Sequence, residues 1–359
     1  MSTAETQNLH PDLQQGHSSD ISASHSAVVL WLYLCCAMIL VMAVIGAITR
    51  LTESGLSIME WAPLSGAIPP LSQTEWERLF SLYKTIPEYQ QINRGMELEE
   101  FKSIFWWEYF HRLWGRLIGL VFAVPLAVFW IRQQLPGWIK PHLLFLLALG
   151  GLQGAIGWYM VASGFADRTD VSQYRLTLHL MMAVGIYCYI FWLALKLGAN
   201  STTGASSNAL GSWSAILVAA ILLTMTSGAF VAGLNAGLIY NTFPLMEGQM
   251  IPPSYSDGSP WFINSFENIA AVQFHHRVLA TATGLLAIGL GLLVLLKGRS
   301  RKVRIAGVLV ALASVGQVKL GIMTLLLVVP VGLAAAHQAG ALIFLTTALY
   351  LLFQLKYSR

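Results

Sequence analysis

Eight apolar runs, each close to twenty residues long, decide what this chain can be. They lie at about 27–49, 113–131, 142–163, 176–195, 213–235, 278–296, 305–329 and 332–355. A helix needs about 20 residues to cross the hydrocarbon core of a bilayer. Within that core, only helices and closed barrels satisfy every backbone group. None of the runs shows the two-residue alternation of a barrel strand. The expectation is an all-α polytopic membrane protein with eight transmembrane helices. With 56% hydrophobic and only 11% charged residues, the chain is too apolar for a soluble domain.

The basic residues orient the spans. An even number of spans puts both termini on one side. The short connections on that side, and the C-terminal end, hold Arg132, Lys140, Lys196, Lys297, Arg299, Arg301, Lys302, Arg304, Lys356 and Arg359. The opposite side holds fourteen acids, among them Glu108, Asp167, Asp170 and Glu267. Both termini are therefore expected in the cytoplasm. The net charge of +4 records topology and gives no reason to expect nucleic-acid binding. Residues 1–26 are polar, contain no Lys or Arg, and read as a disordered cytoplasmic tail. A mitochondrial transit peptide would be Arg-rich, so the bacterial plasma (inner) membrane is the expected location. Cys35, Cys36 and Cys188 all fall inside spans, which leaves no disulfide framework and reads them as small apolar packers.

The chain repeats itself. Gly46 aligns with Gly228, Pro63 with Pro244, His111 with His276, Gln153 with Gln317 and His179 with His337. Each half holds four spans, so the repeats run parallel about an axis along the membrane normal. The expectation is two pseudo-symmetric four-helix bundles, 27–197 and 213–359, joined by a Gly/Ser/Asn linker at 198–212. In the long first loop, Ser72-Gln73-Thr74-Glu75 is a capping-box pattern that opens the amphipathic stretch TEWERLFSLYK. A second such stretch, MELEEFKSIFWW, runs into the second span. These stretches suit helices on the outer interface, serving either as a surface cover or as a lid.

Four histidines lie at matched depth near the outer ends of the even-numbered spans: His111, His179, His276 and His337. A single intramembrane histidine is readily explained by a hydrogen bond between helices. Two pairs, one per repeat, are instead placed to ligate a flat iron porphyrin from both faces. Zinc would want three or four ligands in one cluster, which two separate pairs do not supply. His275 points about 100° away from its neighbour His276, and the repeat selects His276. Small residues nearby, including Gly115, Gly119, Gly185, Gly284 and Gly340, leave room for a macrocycle or mark close helix packing. Arg112 and Arg277 follow the ligands and can pair with propionates or snorkel to lipid phosphate. Lys319, inside span 7, is read as a buried lysine whose partner is a propionate of the second site. Glu108 shares a helix face with His111, whereas Gln273 stands at that place in the second repeat. An acid in one site only reads as a general base, or as an ion-pair partner of Arg112 or Arg116.

At EFKSIFWWEYFHRLWGR, NTFPLMEGQMIPP, QFHHR and AAAHQAG, and along nearly the whole chain from about residue 27, the sequence resembles the heme A synthases. It resembles their cysteine-free branch, since the first outer loop has no cysteine pair. The resemblance implies oxidation of the C8 methyl of heme O to a formyl group, by two hydroxylations and loss of water. It implies heme b as cofactor, held by His276 and His337, beside which Arg277 and Lys319 are read from the residues themselves. It implies that His111 and His179 take the substrate heme, with Glu108 as the acid beside it; Arg112 is read at that site from its place next to His111. Expected partners are heme O, heme O synthase, an electron-transfer protein and membrane lipid, and a homo-oligomer fits the same picture. Two other classes would use the same four histidines: a di-heme cytochrome b for electron transfer, and a heme carrier or chaperone. The cytochrome does not need an acid in only one half, and the carrier should bind heme weakly and exchangeably at both sites.

Overall fold

The computed structural model describes residues 11–63, 65–166, 168–199 and 209–357; for 11–24 it gives the backbone course only. Among the described residues the regular structure is helical, and eight helices are long and apolar enough to cross a membrane. The first is α1 (Pro11–Leu51), whose spanning part is His25–Leu51. It reaches back into the stretch expected to be a disordered tail, as a helix already nucleated by a long apolar run extends at low cost per residue. The expectation for residues 1–10 lies outside the described residues, as do residues 200–208 of the linker.

Two short helices follow α1, namely α2 (Gln73–Tyr83) and α3 (Pro87–Gln91). The remaining spans of the first half are α4 (Leu98–Ile131), α5 (Lys140–Val161) and α6 (Gln173–Gly198). The second half has α7 (Ala209–Gly233), the short α8 (Asn264–Glu267), then α9 (Ile269–Lys297), α10 (Arg301–Leu326) and α11 (Val331–Tyr357). Helix α1 packs on α4 and α6, and α5 on α6; in the second half α9 packs on α7 and α10, and α11 on α7 and α10. The halves meet where α1 touches α11 and where α6 touches α7 and α11.

One apolar core runs through both halves, from Trp31, Leu32 and Cys35 on α1 through Tyr187 and Ile190 to Leu345 and Leu351 on α11. The three cysteines are free. Polar ties reinforce the junction. Gln338 donates to Ala43 O at 2.9 Å, and Tyr187 and Thr346 share a hydroxyl contact of 2.7 Å. Where α1 ends, Arg50 pairs with Asp170 at 2.8 Å and donates to Asn235 and Ala232 O from the second half.

The first loop builds a cap. Ser72 accepts from Glu75 N at 3.2 Å and starts α2 as its pattern predicts. Trp76, Leu79, Phe80 and Tyr83, at the spacing of one helix face, are buried. That face packs on the projecting first turns of α4: Trp76 meets Phe105 edge-on at 4.8 Å, and Phe80 stacks on Phe101 at 5.1 Å. The amphipathic stretch thus buries its apolar face against the protein. The second stretch is continuous with α4, opened by a capping box of Glu97 and Glu100.

The glycines divide. A Cβ at Gly119 or Gly185 would meet nothing within 4 Å, as a site with spare room requires. One at Gly284 would meet Val318 at 3.1 Å, and one at Gly340 would run into the Gln317 side chain, as close packing requires.

Candidate functional site

The four histidines sit on α4, α6, α9 and α11, and each is half-buried. His179, His276 and His337 lie six or seven residues into their helices, at about 10 Å depth for a rise of 1.5 Å per residue. His111 lies deeper in sequence because α4 projects beyond the others to carry the cap. The rings of His111 and His179 are close enough to act on each other electrostatically, and so are those of His276 and His337. The structure therefore brings the histidines together in the two pairs read from the repeat.

Each ring lies against a glycine of a neighbouring helix. A Cβ at Gly46 would stand 3.3 Å from His111 Nε2, and one at Gly157 would stand 2.9 Å from His179 Cε1. In the second half the matching distances are 3.0 Å from Gly228 to His276 Cε1 and 2.8 Å from Gly321 to His337 Cε1. Any side chain at these positions would push the rings out of place.

Polar partners repeat as well. Gln153 Nε2 lies 3.1 Å from His179 Nδ1 and donates to His179 O at 3.0 Å. Gln317 does the same to His337, at 3.1 and 2.9 Å. Sequence reasoning aligned these glutamines but gave them no role; the shared spacing Gln-x3-Gly was the available signal. Ser227 was also missed. Its hydroxyl donates to Thr224 O at 2.8 Å and lies 2.9 Å from His276 Nδ1. With that hydroxyl hydrogen used, Nδ1 must carry the ring hydrogen, which leaves the Nε2 lone pair free for a metal.

These features fit an iron porphyrin held between each pair. The glycines let the imidazole rings come close against helix backbone. The buried Oε1 atoms of Gln153 and Gln317 have no hydrogen-bond partner. A metal at Nε2 would leave the ring hydrogen on Nδ1, the nitrogen that faces the glutamine amide. Among the described residues, no cluster of three or more His, Cys, Asp or Glu side chains could hold a bare metal ion.

The acid lies one turn from His111. Glu108 is 2% exposed. Oε1 accepts from Arg112 Nε and Nη2 at 3.0 and 2.6 Å, while Oε2 accepts from the Ser57 hydroxyl and from Ile58 N, each at 2.7 Å. All four lone-pair sites of the carboxylate are used. Arg112 also holds Glu60 O at 2.9 Å, and Glu60 in turn takes Arg78 of α2 in a bidentate pair at 2.9 and 2.8 Å. Arg116 holds Ala62 O and Pro63 O. In the second half Arg277 takes Gln273 Oε1 at 2.8 Å and the carbonyls of Tyr240 and Thr242. Gln273 Nε2 donates to Ala236 O and Ile239 O. One latch thus recurs: an arginine, the residue four before it, and loop carbonyls 182 positions apart. Only the first copy carries a carboxylate.

Glu108 and loop carbonyls fill most of the Arg112 fork, and loop carbonyls with Gln273 fill that of Arg277, so their visible work is to fix the outer loops. Arg277 Nε remains buried and unpaired. Lys319 is a correction: it is exposed. Gln317 and Gly321 both face His337, and Lys319 is about 200° round the helix from each. It points away from the pair, so the buried lysine read from sequence is not there. The other two ring nitrogens of interest have their own partners. Tyr255 OH meets His275 Nε2 at 2.8 Å, and Tyr189 OH meets His142 Nδ1 at 2.6 Å.

Comparison with known proteins covers nearly the whole chain. Residues 29–349 match the family model described as cytochrome oxidase assembly protein. A protein of Nitrosospira multiformis named heme A synthase is 48% identical over 342 residues, covering 93% of this chain and 95% of that one. Heme A synthases of Rhodospirillum centenum and Nitrosomonas eutropha are 50% and 46% identical, covering 90% and 93% of this chain and 86% and 95% of their own lengths. With two histidine pairs, one acid between them and this likeness over most of its length, the chain belongs to the cytochrome oxidase assembly family of the heme A synthases.

Proposed function

We propose that this protein is an oxidoreductase that converts heme O to heme A. One observation carries the reading beyond family likeness: the acid occurs in only one of two otherwise matched latches, Glu108–Arg112 against Gln273–Arg277. A protein that merely passes electrons between two hemes has no need of that difference. In this reading His111 and His179 take the substrate heme, and His276 and His337 hold a resident heme b. The resident heme, when bound, supplies one-electron redox capacity.

The chain's own residues have three tasks. His111 and His179, pressed on Gly46 and Gly157, orient the substrate plane. The cap and the loop latched by Arg112 and Arg116 keep water away from the cap end of that pair. Glu108 takes a proton as the ring methyl is oxidised; its second hydroxylation gives a gem-diol, which loses water to leave the formyl group. Because Glu108 is saturated with donors, one must yield, and the Ser57 hydroxyl is the one that can rotate. The test is supply of heme O to the purified protein with an oxidant system, followed by extraction of heme A.

Two further results are expected. Gly321→Ala puts a methyl 2.8 Å from His337 Cε1. The variant should lose most of its tightly held heme and its low-spin spectrum, while Gly289→Ala, which meets nothing within 4 Å, should keep both. Equal heme in the two variants would contradict the cradle. The basic connections support a reading in which both termini lie in the cytoplasm of a bacterium and the histidine pairs lie toward the outer face. Reporter fusions at Arg359 and in the segment 198–211 should both signal from the inner side. An outer signal from either would invert the site.

A further inference from the structure

The two histidine pairs differ on the helix that opens each half. In the second half a chain of hydroxyls reaches His276 from α7. Ser227 Oγ donates to Thr224 O at 2.8 Å and lies 2.9 Å from His276 Nδ1, so the ring hydrogen points at the serine oxygen. Thr224 in turn donates to Ala220 O at 2.8 Å and accepts from the Thr283 hydroxyl at 2.9 Å. Thr283 is buried on α9, about two turns beyond His276. The contact ties the helix that carries the ligand to the helix that carries Ser227.

The first half has no hydroxyl at any of these places. With Gly46 aligned to Gly228 and His111 to His276, Met42, Ile45 and Ile118 stand where Thr224, Ser227 and Thr283 stand. The His111 ring has no hydrogen-bond partner among the described residues. The two rings are also turned differently. A Cβ on Gly228 would stand nearest to Cε1 and Nδ1 of His276, at 3.0 and 3.5 Å. One on Gly46 would stand nearest to Nε2 and Cδ2 of His111, at 3.3 and 3.5 Å. Opposite ring edges meet the glycine, as a half-turn about the Cβ–Cγ bond produces. That torsion is roughly two-fold in an imidazole, so a ring without a partner at Nδ1 has both orientations open to it. Ser227 selects one for His276.

We propose that Ser227 is a positioning residue that makes the second pair the one that keeps its heme, and that Ile45 at the matching place leaves the first pair able to release its own. This rests on the reading that His276 and His337 hold a resident heme. A ring already turned and protonated at Nδ1 loses less freedom on taking a metal, which favours the bound state. The hydrogen bond that Nδ1 donates also raises the basicity of Nε2, which favours ferric over ferrous iron and lowers the reduction potential. The first pair must take up heme O and give up heme A, and an undirected ring suits that exchange.

The test is Ser227→Ala in the full-length protein, purified with its heme. Transfer of that heme to added apomyoglobin should be about tenfold to a hundredfold faster than from the wild type, the range in which partners of metal-binding histidines act. The reduction potential should rise, and the low-spin electron paramagnetic resonance signal should shift. Ser227→Thr keeps the hydroxyl and should restore all three. The reciprocal Ile45→Ser offers a hydroxyl to His111 and should slow the release of added heme O by about tenfold; it decides the matter alone if Ser227→Ala does not assemble. A wild-type transfer rate and potential in Ser227→Ala overturns the retaining role, and unchanged release from Ile45→Ser overturns the contrast between the pairs. A His276→Ala control that keeps its heme would instead strike the ligand reading itself.

Discussion

Glu108→Gln is expected to yield a folded protein that keeps its tightly held heme, still takes up heme O, and makes heme A about 10²–10⁴-fold more slowly. The change keeps the size of the side chain and removes the proton acceptor. It is not free of structural cost. The amide oxygen can stay on Arg112, but the amide nitrogen then faces Ile58 N, a donor against a donor. An unmade buried hydrogen bond of this kind costs about 1–3 kcal/mol, so the loop at 57–60 should loosen without melting the helices. Heme extraction separates the effects. Retained heme with little heme A supports the proton role; normal heme A yield leaves Glu108 as a latch for Arg112 and nothing more. The reciprocal Gln273→Glu should not create a second active site. It would aim a carboxylate at Ala236 O and Ile239 O, to which Gln273 now donates, and should weaken the second half instead.

Much of this was legible in the sequence. Eight spans follow from run length, and the histidine pairs follow from the repeat. The latch did not, because it joins α4 to loop carbonyls some fifty residues away, and no periodicity reports such a contact. The loop partners of Arg112 and Arg277 were unreadable for the same reason: a basic residue beside a ligand looks free until its loop contacts are known. Lys319 is different. It lies inside an apolar run, and that position was read as burial.

The second large effect concerns the resident heme. His276→Ala or His337→Ala should remove most of the tightly held heme and the low-spin spectrum of a bis-histidine iron. Each ring lies against a glycine and has a polar partner at Nδ1, Ser227 or Gln317. No other histidine among the described residues stands ready to replace it. His275, the nearest in sequence to His276, points elsewhere and contacts Tyr255. His111→Ala and His179→Ala should behave differently. They should keep the resident heme and its spectrum yet fail to bind heme O, because they disturb only the first pair. Loss of the resident heme in all four variants alike would mean that the two pairs are not independent sites.

The central claim is a division of labour, with one pair keeping its heme and the other turning its heme over. It is tested most directly by supplying purified wild-type protein with heme O and an oxidant system, then extracting and identifying every heme by chromatography and mass. The account predicts heme b at a constant level of about one per chain, with heme O falling as heme A rises through the once-oxidised alcohol. Recovery of only the hemes supplied, or conversion of the resident heme itself, would contradict it.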